Sequence, residues 1–492
     1  MTETVDRPST AAADRTDRLS RRDATAIAVL LVSAFVVILN ETIMSVAIPV
    51  LIKDLDVNAS TGQWLSTAFI LTMAVVIPVS GFLIQRLTTR TLFAIALGSF
   101  VAGTLLAALS PTFSVLLVAR VIQGVGAAII TPLLMTTVMT IVPESRRGAM
   151  MGNISIVISV APAIGPTVSG LILSALPWPF IFWCVLPIAA AGLVIGLRLI
   201  GNLGETRRVP IDWVSIPLSA IGFGGLVYGL NAVGEGASSK DGISLVAVLV
   251  PVATGLVSLG LFLLRQRALQ RTDNALLDLR VFRSRVFTAS VVSGALAFLG
   301  LLGSAILLPI YLQQVLGLSA LQTGLLVLPG GLTMGLLGPV VGRMYDRFGP
   351  RPLLLPGLAI AMVGLIALGT VTETTAAWRV LICHVVLSLG LAAVLPSVFT
   401  AGLSAVPRRF TSYGSAIFAT VQQVGGAAGT ALAVTLLAIG AAGFDGAGGA
   451  GAAEAAGTRL AFLVSAGVFV IAIAVATMVK RVPSEGPVPV GH

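Results

Sequence analysis

The segment "ARVIQGVGAAIITP" at residues 119–132 has a counterpart far along the chain, "CHVVLSLGLAAVLP" at residues 383–396. Arg120 and His384 each stand 12 residues before the closing proline, Pro132 or Pro396. Other landmarks keep the same interval. "TIVPESRRG" sets Pro143 ahead of a basic pair, "SAVPRRF" does so at Pro407, and Gly165 answers to Gly429, all at an offset of 264 residues. "GFLIQRLTTR" from Gly81 echoes "GRMYDRFGPR" from Gly342 at an offset of 261. A near-constant interval across several landmarks marks a duplication rather than chance composition.

The duplicated units are apolar. The chain has 492 residues, 56% of them hydrophobic and only 10% charged, with a mean hydropathy of +1.02. A soluble domain cannot hide that much apolar surface behind a polar exterior. Repeated apolar runs of about 20 residues are the mark of membrane helices, and the runs do not alternate as barrel strands do. The fold class is therefore an all-α polytopic membrane protein. Fourteen spans are expected, at about 25–50, 62–85, 91–110, 114–142, 148–174, 179–201, 211–233, 243–264, 286–314, 321–343, 352–371, 377–405, 413–441 and 459–479. Each can cross about 30 Å of hydrocarbon at about 1.5 Å per residue.

The formal net charge of +10 comes mostly from arginines in the short breaks between spans. With the N-terminus inside, roughly 25 of the 30 basic residues fall on the inner side. These include Arg86, Arg90, Arg146, Arg147, Arg207, Arg208, a cluster from Arg265 to Arg285, Arg343, Arg347, Arg351, Arg408 and Arg409. Lys53 and Lys240 fall outside. That asymmetry is the positive-inside signal and sets both termini in the cytoplasm. No aromatic-interleaved basic patch suggests nucleic acid. Cys184 and Cys383 lie inside apolar runs, so neither a disulfide nor a metal cluster is expected. Residues 1–23 mix Arg and Asp and show no signal-peptide pattern. Arginine far exceeds lysine, and Ala and Gly abound, which suggests a GC-rich bacterial genome and a cell inner membrane.

The repeat maps helix 2 onto helix 10 and helix 4 onto helix 12, a shift of eight. Two six-helix bundles plus two inserted helices account for it. The expected organisation is a cytoplasmic tail at 1–24, an N-terminal bundle at 25–202, and an inserted pair with linkers at 203–285. A C-terminal bundle at 286–480 and a tail at 481–492 follow. The stretch "GFDGAGGAGAAEAAG" between helices 13 and 14 reads as a flexible external loop.

Four motifs now resemble the major facilitator superfamily, in particular its fourteen-helix drug:proton antiporter branch, over about residues 25–480. The family's loop motif, G-x-x-x-D-R-x-G-x-R, is matched in the second copy by Gly342, Asp346, Arg347, Gly349 and Arg351. The first copy keeps Gly81, Arg86 and Arg90 but has Gln85 for the acid and Thr88 for the glycine. The resemblance implies that this loop latches the helices at the cytoplasmic face during switching, and losing the acid should weaken the latch in the first half. The helix-4 motif R-x-x-Q-G is Arg120, Gln123 and Gly124. The helix-5 antiporter motif is Gly165, Pro166, Ser169 and Gly170, with Pro162 as a second bend point. Its small residues permit close helix approach and its prolines permit bending. The helix-1 motif is Leu39, Asn40, Glu41 and Thr42, then Val46, Ala47 and Pro49, with Asn40 where Asp is common. The resemblance implies the major facilitator fold, alternating access and a substrate path between the halves near the midplane.

Glu41 is the only acid well inside a span. An ionised carboxylate is costly there and tends to sit neutral unless paired, which suits a proton carrier; the plainer alternatives are a structural hydrogen bond to a neighbouring helix and a position near the outer headgroups. Counting from the helix starts, Glu41 and Arg120 both fall in the outer half of the bilayer, so Arg120 is a natural partner or a fixed structural ion-pair mate. Asn40 lies about 100° around the helix from Glu41, so both cannot point the same way. His384 is a candidate second titrating site or a packing residue. Asn40, Gln123, Gln313, Gln422 and Gln423 are candidate substrate-path residues. The Arg265–Arg285 cluster reads as a cytoplasmic linker.

The function these features favour is proton-driven export of lipophilic small molecules or drugs by a single chain. The partners are then the substrate, protons and the lipid bilayer, with no cofactor, metal or nucleic acid. The alternatives are a dedicated exporter of an endogenous metabolite or lipid, and an uncoupled facilitator. No Walker motif points to ATP-driven transport, and no catalytic constellation points to an enzyme.

Overall fold

The computed structural model describes residues 20–202, 210–237, 245–444 and 449–481. The expectations for Arg207, Arg208, Lys240 and residues 1–19 and 482–492 lie outside these. Among the described residues, fourteen long helices make up the fold. They are α1 (Arg21–Asp54), α2 (Ala59–Arg86), α3 (Thr89–Ala108), α4 (Phe113–Ile141), α5 (Arg147–Ala175), α6 (Phe180–Leu199) and α7 (Ser215–Ala237). The rest are α8 (Leu245–Leu269), α9 (Arg285–Ile310), α10 (Ala320–Phe348), α11 (Arg351–Leu368), α12 (Ala377–Ser404), α13 (Thr411–Ala442) and α14 (Gly449–Ala476). All fourteen are long and apolar enough to cross a membrane.

Helix ends follow local chemistry. Side-chain oxygens of Ser20, Asn58, Thr88, Thr112, Ser284 and Ser319 accept from backbone N–H groups in the first turns they precede, which satisfies donors a helix start leaves open. Gly349 ends α10 at φ 82°, a conformation that favours glycine. Thr88 holds that place in the first copy. There the chain stays extended at Leu87, and Thr88 accepts from Thr91 N at 3.2 Å to start α3. The departure from the motif is thus a change of turn.

The duplication persists in the packing. A Cβ on Gly126 (α4) would lie 2.3 Å from the Ala96 carbonyl oxygen on α3, and one on Gly390 (α12) 2.4 Å from the Ala361 N on α11. Each glycine lets the same pair of helices touch by backbone. Two six-helix bundles result, α1–α6 and α9–α14. They meet along two seams, α5 with α10 and α2 with α13. The inserted pair, α7 and α8, packs across the second seam. Val227 of α7 buries against Ala74 of α2 and Ala427 of α13, and Trp64 stacks on Tyr228 with ring centroids 5.9 Å apart.

One expectation is overturned. The Gly/Ala stretch before the last span is helical from Gly449 onward, so the loop reading fails for residues 449–457. A Cβ on Gly457 would lie 2.1 Å from the Leu437 carbonyl oxygen of α13. Small residues that weaken a helix in water permit backbone contact between membrane helices.

Candidate functional site

The buried centre of the first bundle is built around Arg120, only 1% exposed. Its Nε donates to the Leu65 carbonyl oxygen at 3.1 Å. Its Nη1 donates to Asn40 Oδ1 at 3.1 Å and to Gln123 Oε1 at 2.9 Å. The guanidinium carbon lies 4.2 Å from the Phe69 ring centroid. Gln123 donates onward to Thr104 Oγ1 at 2.9 Å, and Thr104 to the Phe100 carbonyl oxygen at 2.7 Å. The chain therefore ties α1, α2, α3 and α4 together inside the apolar core. A planar fork of fixed donors over an aromatic face suits arginine and not lysine.

Asn40, not Glu41, meets the guanidinium, so the direct pairing of Glu41 with Arg120 is not made. The cause is helical geometry. Asn40 faces α4, while Thr42 faces α5, where a Cβ on Gly165 would lie 2.2 Å from Thr42 Oγ1. Ser169 Oγ reinforces that contact by donating to the Ile43 carbonyl oxygen at 3.0 Å. Glu41 is about 100° from each neighbour and projects between the two contacts. It is half-buried and forms no hydrogen bond or ion pair among the described residues.

The equivalent position in the second bundle is different. The His384 ring lies against Gly330, where a Cβ would come 2.2 Å from Nε2. Neither ring nitrogen makes a well-formed hydrogen bond among the described residues, and the Val327 backbone is a polar neighbour of the ring. Where Arg120 covers Phe69, His384 covers glycine at the matching repeat position, and Leu387 replaces Gln123. The polar chain is therefore confined to the first bundle. Gln423 reaches across from α13 to Met73 Sδ on α2 at 3.6 Å, and the buried Nε2 of Gln422 has no partner among the described residues. Gln313 is exposed in a turn of π-helix, Tyr311–Val315, after α9, apart from the polar chain.

The loop motifs sit at the arginine-rich end, on the two seams. Asp346 Oδ1 accepts from Gly148 N at 2.7 Å and Oδ2 from Ala149 N at 2.9 Å. The carboxylate of α10 thereby caps α5 of the other bundle, where a helix N-terminus favours negative charge. In the first copy Gln85 faces the repeat-related residue. Its Nε2 donates to Ser412 Oγ at 3.0 Å and to the Arg409 carbonyl oxygen at 2.9 Å. The acid is lost but the contact persists through neutral donors. Gly81 and Gly342 occupy matching places: a Cβ would lie 2.9 Å from Ala416 Cβ in one case and 2.1 Å from the Gly148 carbonyl oxygen in the other. Arg351 ties α11 to the end of α14 through the Val479 and Thr477 carbonyl oxygens, at 3.2 and 2.7 Å. Arg86, Arg90 and Arg347 are exposed. α5 runs on through Pro162 and Pro166, and Pro166 and Gly170 lie exposed on its far half.

Several partners here were not identified from sequence. Thr104, Phe69 and Leu65 lie on helices remote in the chain, and no local sequence signal marks them as partners of Arg120. The arginine cluster of the linker is partly neutralised. Arg265 makes a two-pronged contact with Asp212, Nε to Oδ2 at 2.7 Å and Nη2 to Oδ1 at 2.6 Å. It holds the Asp212 carboxyl down at about 2. Arg280 bonds Asp278 and Asp273 and lies 5.0 Å from the Phe410 ring centroid, docking the linker under α13.

Two duplicated six-helix bundles meeting at glycine-lined seams, with a buried polar chain in one, are an architecture that membrane transporters use. The chain belongs to the Major Facilitator Superfamily, whose family model matches residues 30–430. It is 40% identical over 414 residues to the lincomycin resistance protein LmrB of Listeria monocytogenes, covering 84% of this chain and 86% of that protein. The identity is also 40% over 411 residues to LmrB of Bacillus subtilis, covering 84% and 85%. A multidrug resistance protein B homolog of Mycobacterium tuberculosis is 29% identical over 398 residues, covering 80% and 73%. Among solved structures, the human organic anion transporter MFSD10 superposes with a TM-score of 0.65 at 16% identity, over 92% of this chain and 99% of that one. At that identity the likeness is one of fold.

Proposed function

We propose that the protein exports lipophilic small molecules, lincosamide-like antibiotics among them, from the bacterial cytoplasm in exchange for protons. The observation that carries this reading is Glu41, half-buried, within the field of Arg120 but bonded to no fixed partner among the described residues. A half-buried acid with no fixed partner can accept a proton without breaking an ion pair, and can release it when its surroundings change. A facilitator has no need of such a group. The relatives named for lincomycin and multidrug resistance support the substrate class.

With the arginine-rich end in the cytoplasm, the Asp346 and Gln85 contacts hold the two bundles together at that face. Glu41 takes a proton from the outer side. Protonation neutralises α1 between α4 and α5 and lets the bundles rock, closing the outer face. Substrate and proton then compete for the central path, so uptake of one accompanies release of the other. A single chain suffices, since both bundles belong to it.

The test is reconstitution into liposomes with an imposed pH gradient, comparing wild type with Glu41→Gln. Gradient-driven lincomycin transport should fall to the uncoupled level in the variant. Unchanged transport in Glu41→Gln sinks the proton-carrier role. Transport equally fast without a gradient in wild type favours the facilitator.

A further inference from the structure

A cavity of about 520 Å³ opens at the arginine-rich end, where α5 meets α10. Arg146 lines it from the first bundle, and Arg343 and Arg347 from the second. All three are exposed, and none of their guanidinium groups makes a hydrogen bond or ion pair among the described residues; that of Arg347 only lies over its neighbour Phe348. The one acid in the cavity lining, Asp346, turns its oxygens to Gly148 N and Ala149 N, and its single negative charge leaves the lining positive against three arginines. Three uncommitted guanidinium groups around one space make a site for an oxyanion, which they can bind with paired N–H donors.

The surface beside the cavity says what carries the anion. On α10, Leu336, Val340 and Met344 are 69%, 40% and 41% exposed. At about 100° per residue they share a face with Arg343 and Arg347. This apolar strip leads from the arginines into the membrane-spanning part of α10, as a track for acyl chains beneath a charged head. A soluble anion has no use for it.

We propose that this cavity binds the phosphate of an anionic phospholipid, held between Arg146 of one bundle and Arg343 and Arg347 of the other. The site is complete only while α5 and α10 are in contact. A bound lipid therefore favours the form in which the arginine-rich end is closed, since a ligand shifts a protein toward the state that binds it better. The anionic lipid content of the membrane thereby sets the starting population of the transport cycle.

Native mass spectrometry of the full-length protein in detergent tests this, using phosphatidylglycerol, phosphatidylcholine and inorganic phosphate as probes. Wild type should retain phosphatidylglycerol in preference to phosphatidylcholine. Arg146→Gln and Arg343→Gln should each weaken retention roughly fivefold, and the pair about twenty-five-fold. Arg271→Gln, which alters an exposed arginine just after α8, should leave it unchanged. Equal retention by wild type and the double variant overturns the site. Displacement of the lipid by millimolar phosphate reassigns the site to a soluble anion and overturns the lipid reading. Should the double variant not fold, the single variants and spin-label distances across the seam in phosphatidylglycerol against phosphatidylcholine nanodiscs decide. Wild type should shift toward the closed form only in phosphatidylglycerol, and the same distances in both lipids refute the proposal.

Discussion

Asp346→Asn tests the seam at a single pair of contacts. The carboxylate accepts from Gly148 N at 2.7 Å and from Ala149 N at 2.9 Å, at the first turn of α5. Asparagine keeps one acceptor oxygen and turns an NH2 toward the second backbone donor. One charge-assisted hydrogen bond is lost, worth about 1.5–3 kcal/mol. The favourable term between a negative charge and the helix N-terminus, about 0.5–1 kcal/mol, is lost too. Asp346 is half-buried, so solvent screening brings the total to about 2 kcal/mol. Because the bond crosses between bundles, the cost falls on the closed form and not on either bundle. A shift of that size changes the ratio of closed to open by about thirtyfold, so a ratio of about 100 to 1 becomes about 3 to 1. The assay is pulsed electron spin resonance between labels at Thr140, at the end of α4, and Phe348, at the end of α10, after Cys184 and Cys383 are replaced. Both label sites are exposed. The variant should gain a second, longer distance while its thermal unfolding midpoint changes little. A distance distribution identical to wild type refutes the assignment, and a fall in midpoint without a new distance makes Asp346 a folding contact.

Three other outcomes follow from the geometry. Arg120→Lys cannot serve Leu65, Asn40 and Gln123 together or cover Phe69; leaving buried acceptors unmet costs about 1–3 kcal/mol, read as a lower unfolding midpoint and lost transport. Gly152→Val places a Cβ 2.2 Å from the Gly338 carbonyl oxygen; overpacking of about 1–3 kcal/mol should force the α5–α10 seam apart, visible in the same spin-label distance. Asp212 is held at about 2 by Arg265, below its ordinary value of about 3.9. A depressed carboxylate contributes stability that is full above the unfolded value and is lost as pH falls through the folded one. Wild type should therefore lose thermal stability between about pH 4 and pH 2, while Asp212→Asn should start lower and lack that component of the acid limb.

Much of the fold was legible because a membrane writes its demands into composition. A span needs about 20 apolar residues, and the breaks between spans carry arginine. The start of α14 was missed because Gly451 and Gly457 read as loop in a rule drawn from water, whereas Gly457 serves backbone contact with α13. The site was legible in residue identity more than in partnership. Arg120, Gln123 and Asn40 stand out as buried polar groups in spans, and the structure joins them. Which of Asn40 and Glu41 faces Arg120 depends on a rotation of about 100°, smaller than hydrophobic periodicity resolves in a helix apolar on nearly every side. The partners Leu65, Phe69 and Thr104 depend on tertiary packing, and no local pattern encodes them.

The duplication carries a further consequence, because its two copies have diverged in opposite senses at the two seams. On the α5–α10 seam the contact is charged at Asp346 and runs backbone to backbone where Gly148 meets Gly342 and Gly152 meets Gly338. On the α2–α13 seam Gln85 replaces the acid and the contact is neutral. A neutral hydrogen bond is about half as strong as a charge-assisted one, so this seam is the weaker at its polar latch. It is also the seam that the inserted α7 covers, burying Val227 between Ala74 and Ala427 and stacking Tyr228 on Trp64. Apolar contact from the insertion thus replaces the charge that the first copy lost. In a membrane such contact acts through van der Waals fit rather than water exclusion, and it can slide where a carboxylate cap must break. In the proposed cycle the two seams are expected to yield differently: α5–α10 by losing discrete bonds, and α2–α13 by movement against α7.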